Sequence, residues 1–172
     1  MPLDPLVKGF LDQMAAAPGP KMSEAGAAVA RDIFVALMQL VGPKDVPVGK
    51  TENLTIPGPG GPIPLRVYTP VAAGQDPMPA LIYYHGGGFV IGNIDTHDGL
   101  CRIMANEGGF RVISVEYRLS PENKFPAAID DAFAAFEWVS TNASDIGVDS
   151  NRISVGGDSA GGALAAGVAQ LA

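Results

Sequence analysis

The chain has 172 residues, of which 47% are apolar and 17% charged, and a formal net charge of −7. That is the composition of one globular domain with a sizeable core, and it excludes a disordered or fibrous chain. The acidic balance argues against nucleic acid and anionic membranes as partners, and no apolar run reaches transmembrane length.

The start, Met1-Pro2-Leu3-Asp4, has neither a basic n-region nor an apolar h-region. No secretory signal is read from it, and the cytoplasm is the default location. Residues 3–14 place Leu3, Leu6, Val7, Phe10, Leu11 and Met14 at steps of three and four, one apolar face of a helix. Pro18-Gly19-Pro20 ends it. A second helix is predicted from Ser23, its N-cap, to Leu40, with Ala30, Ile33, Phe34, Leu37 and Val41 on one stripe. Gly42-Pro43 stops it. These two helices are expected to form a small cap over residues 1–45, separate from the body of residues 46–172.

The texture then changes. Residues 51–57 and 63–69 read as a β-hairpin with a loose turn at Pro59-Gly60-Gly61-Pro62. Strands are predicted at Ala80–Tyr84, Arg111–Glu116 and Arg152–Gly156. Helices are predicted at about Asp98–Glu107, Pro126–Thr141 and Ser159–Leu171. Short apolar strands alternating with helices imply an α/β fold whose parallel sheet is covered on both faces. Cys101 is the only cysteine, so no internal disulfide is available, and it reads as a small buried packing residue.

Two motifs carry chemistry. Gly157-Asp158-Ser159-Ala160-Gly161 matches G-x-S-x-G, directly after the run Ile153-Ser154-Val155-Gly156 and at the head of an Ala/Gly-rich helix. A strand–turn–helix of this kind strains the serine backbone and lifts its Oγ clear of the sheet, beside a helix N-terminus that favours developing negative charge. By itself the pattern also fits an ordinary Gly-rich turn. His85-Gly86-Gly87-Gly88-Phe89 follows another apolar strand, Leu81-Ile82-Tyr83-Tyr84. Its glycines let backbone N–H groups approach a ligand and, with the N–H of Ala160, make an oxyanion hole. A flexible turn is the bland alternative. A phosphate loop fails, because no Gly-Lys-Ser/Thr follows and Ile91 occupies the last glycine position of G-x-G-x-x-G. His85 precedes the glycines and reads as ordering the loop through its ring nitrogens. His97, at a helix start, reads as locally bonded and not as a general base.

Together and in this order, the motifs are far more specific than either alone. The chain resembles the hormone-sensitive-lipase-like branch of the α/β-hydrolases, the bacterial esterases with a GDSAG elbow. The resemblance runs through His85-Gly-Gly-Gly-Phe-Val-Ile-Gly92, Thr96-His97-Asp98, Glu116-Tyr-Arg-Leu-Ser-Pro-Glu122, Phe125-Pro-Ala-Ala128 with Asp130, and Gly157-Asp-Ser-Ala-Gly-Gly162. It implies an eight-stranded, mostly parallel sheet with an N-terminal helical cap, and hydrolysis of short to medium acyl esters. Carried over by position, Ser159 is the nucleophile. Gly87, Gly88 and Ala160 donate to the oxyanion, and Gly86 shapes the loop. Glu116, Tyr117, Arg118 and Pro121 tie the loop after their strand to the elbow region. Phe10, Leu11, Met14, Phe34 and Met38 of the cap are expected to line the pockets. The substrate implied is a small-molecule ester; no metal or organic cofactor is implied, and the oligomeric state stays open.

The pattern breaks after the serine. A serine hydrolase needs a base and a carboxylate to hold it, in the chain order Ser, Asp/Glu, His in this fold. Residues 160–172 contain no acid and no histidine. The expectation is therefore a C-terminally truncated chain, inactive alone and completed by a missing C-terminal segment or a second chain. A ligand receptor of the same fold, or an inactive fragment, are the alternatives; amidase and lactonase chemistry share the machinery.

Overall fold

The computed structural model describes residues 2–16, 22, 24–75 and 77–172. Pro18-Gly19-Pro20 and Ser23, the expected helix stop and N-cap, lie outside the described residues. The elements in chain order are α1 (Pro5–Ala16), α2 (Gly26–Val41), β1 (Lys50–Gly58), β2 (Gly61–Thr69), β3 (Met78–Tyr84), α3 (Asp98–Gly108), β4 (Arg111–Val115), α4 (Ala127–Thr141), β5 (Val148–Gly157) and α5 (Ala160–Leu171). Short 3-10 turns at Asp95–His97 and Ala143–Ile146 lead into α3 and β5.

The described strands form one sheet in the order β1-β2-β4-β3-β5. The expected parallel pairing holds for β3 with β4 and β3 with β5. The hairpin instead joins antiparallel, β2 against β4, so the sheet is mixed. The hairpin turn is also tighter than the loose one expected: Gly58 pairs with Gly61, which leaves Pro59-Gly60 as a two-residue connection. β5 starts earlier than its apolar run suggests, because Val148 pairs with Met78 across an irregularity before Ile153 pairs with Ala80.

Strand side chains alternate between two apolar layers, as a period of two requires. Ala80, Ile82 and Tyr84 of β3 join Leu65 and Val67 of β2 and Ile113 and Val115 of β4 on one face. There they meet Ala132, Ala135 and Val139 of α4 and Leu164, Ala165 and Val168 of α5. Tyr68, Tyr83 and Val112 point to the other face, against Cys101 and Ala105 of α3. Both faces of the central strands are thus covered, and the small residues of α4 and α5 let those helices sit close to the sheet. Cys101 is fully buried, which pushes its thiol up to about 12.

The leading helices behave differently. α1 buries none of its residues, and Phe10, Leu11 and Met14 stand exposed on it. No described residue buries them. α2 buries Ala30, half-buries Phe34 and Met38, and leaves Val41 exposed. The ring of Phe34 lies 6.2 Å from that of His97, so α2 rests over the turn that opens α3.

One buried charge organises the far side of the loop after β4. Asp131 of α4 is fully buried and accepts from the Arg118 backbone N–H at 2.9 Å, from Nε at 2.8 Å and from Nη2 at 2.7 Å. The same guanidinium lies over Gly60, where any side chain would strike it. This pair therefore pins α4, the post-β4 loop and the hairpin turn together. Asp131→Ala leaves the guanidinium and an amide without their acceptor, and should lower unfolding free energy by about 3 kcal/mol. Urea denaturation of the two proteins measures it; an unchanged midpoint would remove this pair from the account.

Candidate active site

Both sequence motifs leave the sheet at the C-terminal ends of neighbouring parallel strands. Tyr84 of β3 and Gly157 of β5 are paired, and the chain turns away immediately after each. In open α/β sheets this is where ligands bind.

The turn after β5 is strained at the serine. Ser159 has φ 50° and ψ −116°, a positive φ that a residue with a Cβ adopts only at a cost of order 1–3 kcal/mol. Its surroundings hold it there. Gly161 N–H donates to Asp158 O at 2.8 Å, and Ala163 N–H to Ser159 O at 3.2 Å, so α5 begins at once. A Cβ at Gly157 or Gly161 would strike the carbonyl oxygen of Tyr84. Glycine at these two positions lets the elbow press against the end of β3. Ser159 stands at the N-terminus of α5, the positive end of its dipole.

The loop after β3 is built from left-handed backbone: Gly87, Gly88, Phe89 and Gly92 all have positive φ. It closes on itself, with the N–H groups of Val90 and Ile91 both donating to Gly87 O at 3.0 Å. The N–H groups of Gly87, Gly88 and Ala160 meet no acceptor among the described residues. Three uncommitted donors at strand ends, beside a serine, can receive an anionic oxygen.

Asp158 joins the two loops. Its Oδ1 accepts from the Tyr83 hydroxyl at 2.6 Å and from the Gly86 N–H at 2.8 Å, and His97 Nε2 stands 3.5 Å away. Burial opposes its charge, but the Tyr83 hydroxyl, His97 and the Gly86 N–H outweigh that and hold the carboxyl below its ordinary range. A side chain at Gly86 would collide with this carboxylate. Neither Asp158 nor Tyr83 stands out from the sequence motifs as a functional residue. The available signal was an acidic residue between a glycine and the serine, with an aromatic hydroxyl just before the glycine loop.

The two histidines take different places. His85 is fully buried, stacked on Tyr117 with ring centroids 4.4 Å apart. Its Nδ1–H donates to Gly86 O at 2.8 Å, while Nε2 has no partner among the described residues. The Tyr117 hydroxyl donates to His85 O at 2.6 Å. His97 Nδ1 lies 2.9 Å from Thr96 Oγ1. Neither ring is bonded to Ser159. Glu116, half-buried, receives the N–H of Ile94 at 2.8 Å, and burial raises its pKa despite that bond. No group of three or more His, Cys, Asp or Glu side chains able to hold a metal ion occurs among the described residues. No described helix is long and apolar enough to cross a membrane.

Comparison with known proteins places this geometry. Residues 81–172 match the α/β hydrolase fold family. Carboxylesterase NlhH of Mycobacterium tuberculosis is 43% identical over 172 residues, covering 99% of this chain and 52% of that protein. Carboxylic ester hydrolase LipN of the same organism is 51% identical over 121 residues, which is 70% of this chain and 32% of LipN. Among solved structures, a hyperthermophilic esterase from the archaeon Pyrobaculum calidifontis superposes with a TM-score of 0.93 at 45% identity, covering 99% of this chain and 54% of that one. An ester hydrolase from the Lake Arreo metagenome, solved with a bipyridine phosphonate derivative, gives 0.95 at 44% identity over 98% of this chain and 55% of its own. The chain spans about half the length of the relatives it matches from end to end. It belongs to the α/β-hydrolase fold family and, within it, to the hormone-sensitive-lipase-like esterases.

Proposed function

We propose that this chain carries the nucleophile and the oxyanion hole of a carboxylic ester hydrolase acting on short or medium acyl chains. The observation that supports it best is the strained Ser159 at the head of α5, beside three N–H groups with no acceptor among the described residues. The relatives named above are carboxylesterases and ester hydrolases, which agrees with that chemistry. In this reading residues 1–45 are a cap and residues 46–172 belong to the catalytic domain. A cytoplasmic location is part of the proposal.

Ser159 Oγ attacks the acyl carbonyl, and the C=O electron pair moves onto oxygen, where the N–H groups of Gly87, Gly88 and Ala160 receive it. Collapse of the tetrahedral species breaks the ester C–O bond and releases the alcohol, leaving an acyl-serine that water hydrolyses. The proton of Ser159 needs a base, and the leaving alkoxide needs that proton back. No histidine or carboxylate follows Ser159 within residues 160–172. The proposal therefore takes base and acid from a segment outside these residues, and expects these 172 residues alone to be inactive.

In the full-length protein Ser159→Ala should lower turnover of p-nitrophenyl butyrate by on the order of 10⁶-fold, as loss of a triad nucleophile does elsewhere. A fluorophosphonate should label the native serine and leave the variant untouched. Persistent turnover by Ser159→Ala would sink the assignment.

We further assign to His85 the ordering of the glycine loop, through its bond to Gly86 and its stack on Tyr117. Burial, opposed only in part by the Gly86 bond, pushes this imidazole from its ordinary 6.5 down to about 4. The folded ring is thus neutral where the unfolded one still takes a proton. Stability is complete above pH 6.5 and falls as pH drops from 6.5 towards 4, by about 3 kcal/mol in all. His85→Gln cannot titrate and should flatten that part of the stability curve. Urea midpoints measured from pH 7 to pH 4 test this, and a parallel fall in the variant would contradict it.

A further inference from the structure

We propose that Arg31 of α2 is a positioning residue that holds the oxyanion loop in its working shape, an inference that rests on the reading of Ser159 and its glycine loop given above. The loop from His85 to Gly92 has no strand partner to hold it beyond Tyr84, and Phe89 stands in the left-handed region at φ 63° although it is not glycine. Such a turn persists only where neighbouring groups fix it. Its inner half is tied by Gly86 to Asp158. Its outer half is tied by two carbonyls: Phe89 O accepts from Ser120 N–H at 2.8 Å, and Val90 O accepts from Arg31 Nε at 2.7 Å.

Arg31 also reaches the second of these segments. Its Nη2 donates to Ser120 O at 2.8 Å, and its Nη1 and Nη2 reach the Glu122 carboxylate at 3.0 and 2.6 Å. One planar guanidinium thus bridges the glycine loop and the loop after β4, two segments that also bond to each other directly. The fork of donors is what the task requires; an ammonium on a flexible stem cannot span three acceptors in one plane. The Glu122 arm is exposed and contributes little to stability by itself, so the two carbonyl bonds carry the positioning. The same arginine links the α2 helix to the loop.

These donors act on charge that exists only in the transition state. Loosening them should therefore lower kcat while KM stays nearly constant. In the full-length protein Arg31→Ala should reduce kcat for p-nitrophenyl butyrate by roughly 10- to 100-fold, the scale of a misplaced catalytic group. Arg31→Lys, which keeps the charge but not the fork, should fall several-fold at a temperature well below its melting point. Glu122→Gln, which keeps both carbonyl bonds, should retain wild-type kcat. The proposal is overturned if Arg31→Lys, folded by circular dichroism, turns over at the wild-type rate, or if Glu122→Gln loses as much as the arginine variants. Loss confined to KM overturns it as well. If wild-type turnover does not depend on Ser159, the underlying esterase reading fails, which a Ser159→Ala control run beside these variants reports separately.

Discussion

Oδ1 of Asp158 accepts from the Tyr83 hydroxyl at 2.6 Å and from the Gly86 N–H at 2.8 Å, and this shared acceptor sets where the serine stands relative to the glycine loop. Asp158 directly precedes Ser159 and Gly86 directly precedes Gly87, so one bond registers two segments 72 residues apart. Tyr83 belongs to β3, which makes the sheet itself the third anchor. Removing any of the three would leave the elbow and the loop attached to the same sheet but free to shift against each other. In the proposed reaction these groups meet a single carbonyl oxygen, and there a displacement of an ångström is costly.

That registration depends in turn on close approach. Gly157 and Gly161 allow the elbow to lie against the Tyr84 carbonyl, and Gly86 allows the loop to lie against the Asp158 carboxylate. The parallel pairing of Tyr84 with Gly157 places all of these at one height along the sheet. A one-residue slip between β3 and β5 would turn every side chain of β5 to the other face and carry the serine with it. Ile82 and Val155 are directly paired in this register, which keeps the apolar side chains of both strands in the layer beneath α4 and α5. Core packing and site geometry are thus satisfied by the same register.

Much of this was legible in the sequence. The helices stand within a few residues of their apolar periodicity, and the β3, β4 and β5 cores follow their apolar runs, because period and burial are local properties. The two motifs were legible because tight turns demand glycine at fixed offsets. What escaped the reading is long-range and polar. The Asp158–Tyr83 bond and the Arg31 bridge connect residues dozens of positions apart, and hydrogen bonds leave no periodic trace. The early part of β5, Asp149-Ser150-Asn151-Arg152, is polar and fills the irregularity between the Val148–Met78 and Ile153–Ala80 pairs, so no hydrophobic alternation marks it. The antiparallel docking of the hairpin on β4 was invisible for a similar reason: its strands alternate in the same way whichever neighbour they meet. The exposed stripe of α1 shows the converse, since a perfect helical period specifies a face to bury but not what covers it.

An aspartate next to the proposed nucleophile raises an electrostatic question that the structure answers. A fixed negative charge close to a developing oxyanion should oppose it, by about 4 kcal/mol for bare unit charges 4 Å apart at an effective dielectric near 20. Here the carboxylate is not bare. The Tyr83 hydroxyl and the Gly86 N–H both point their positive ends at Oδ1, and His97 stands beside them. Each of these donors takes up part of the field that would otherwise reach the glycine loop. The N–H groups of Gly87, Gly88 and Ala160 remain free, at the positive end of α5. Under the proposed function the site separates two uses of backbone and side-chain dipoles: one set is spent on a permanent anion that holds the architecture, and the other is kept unspent for an anion that would exist only during reaction. Neither set can substitute for the other, because a donor already bonded to Asp158 has nothing left to offer a tetrahedral oxygen.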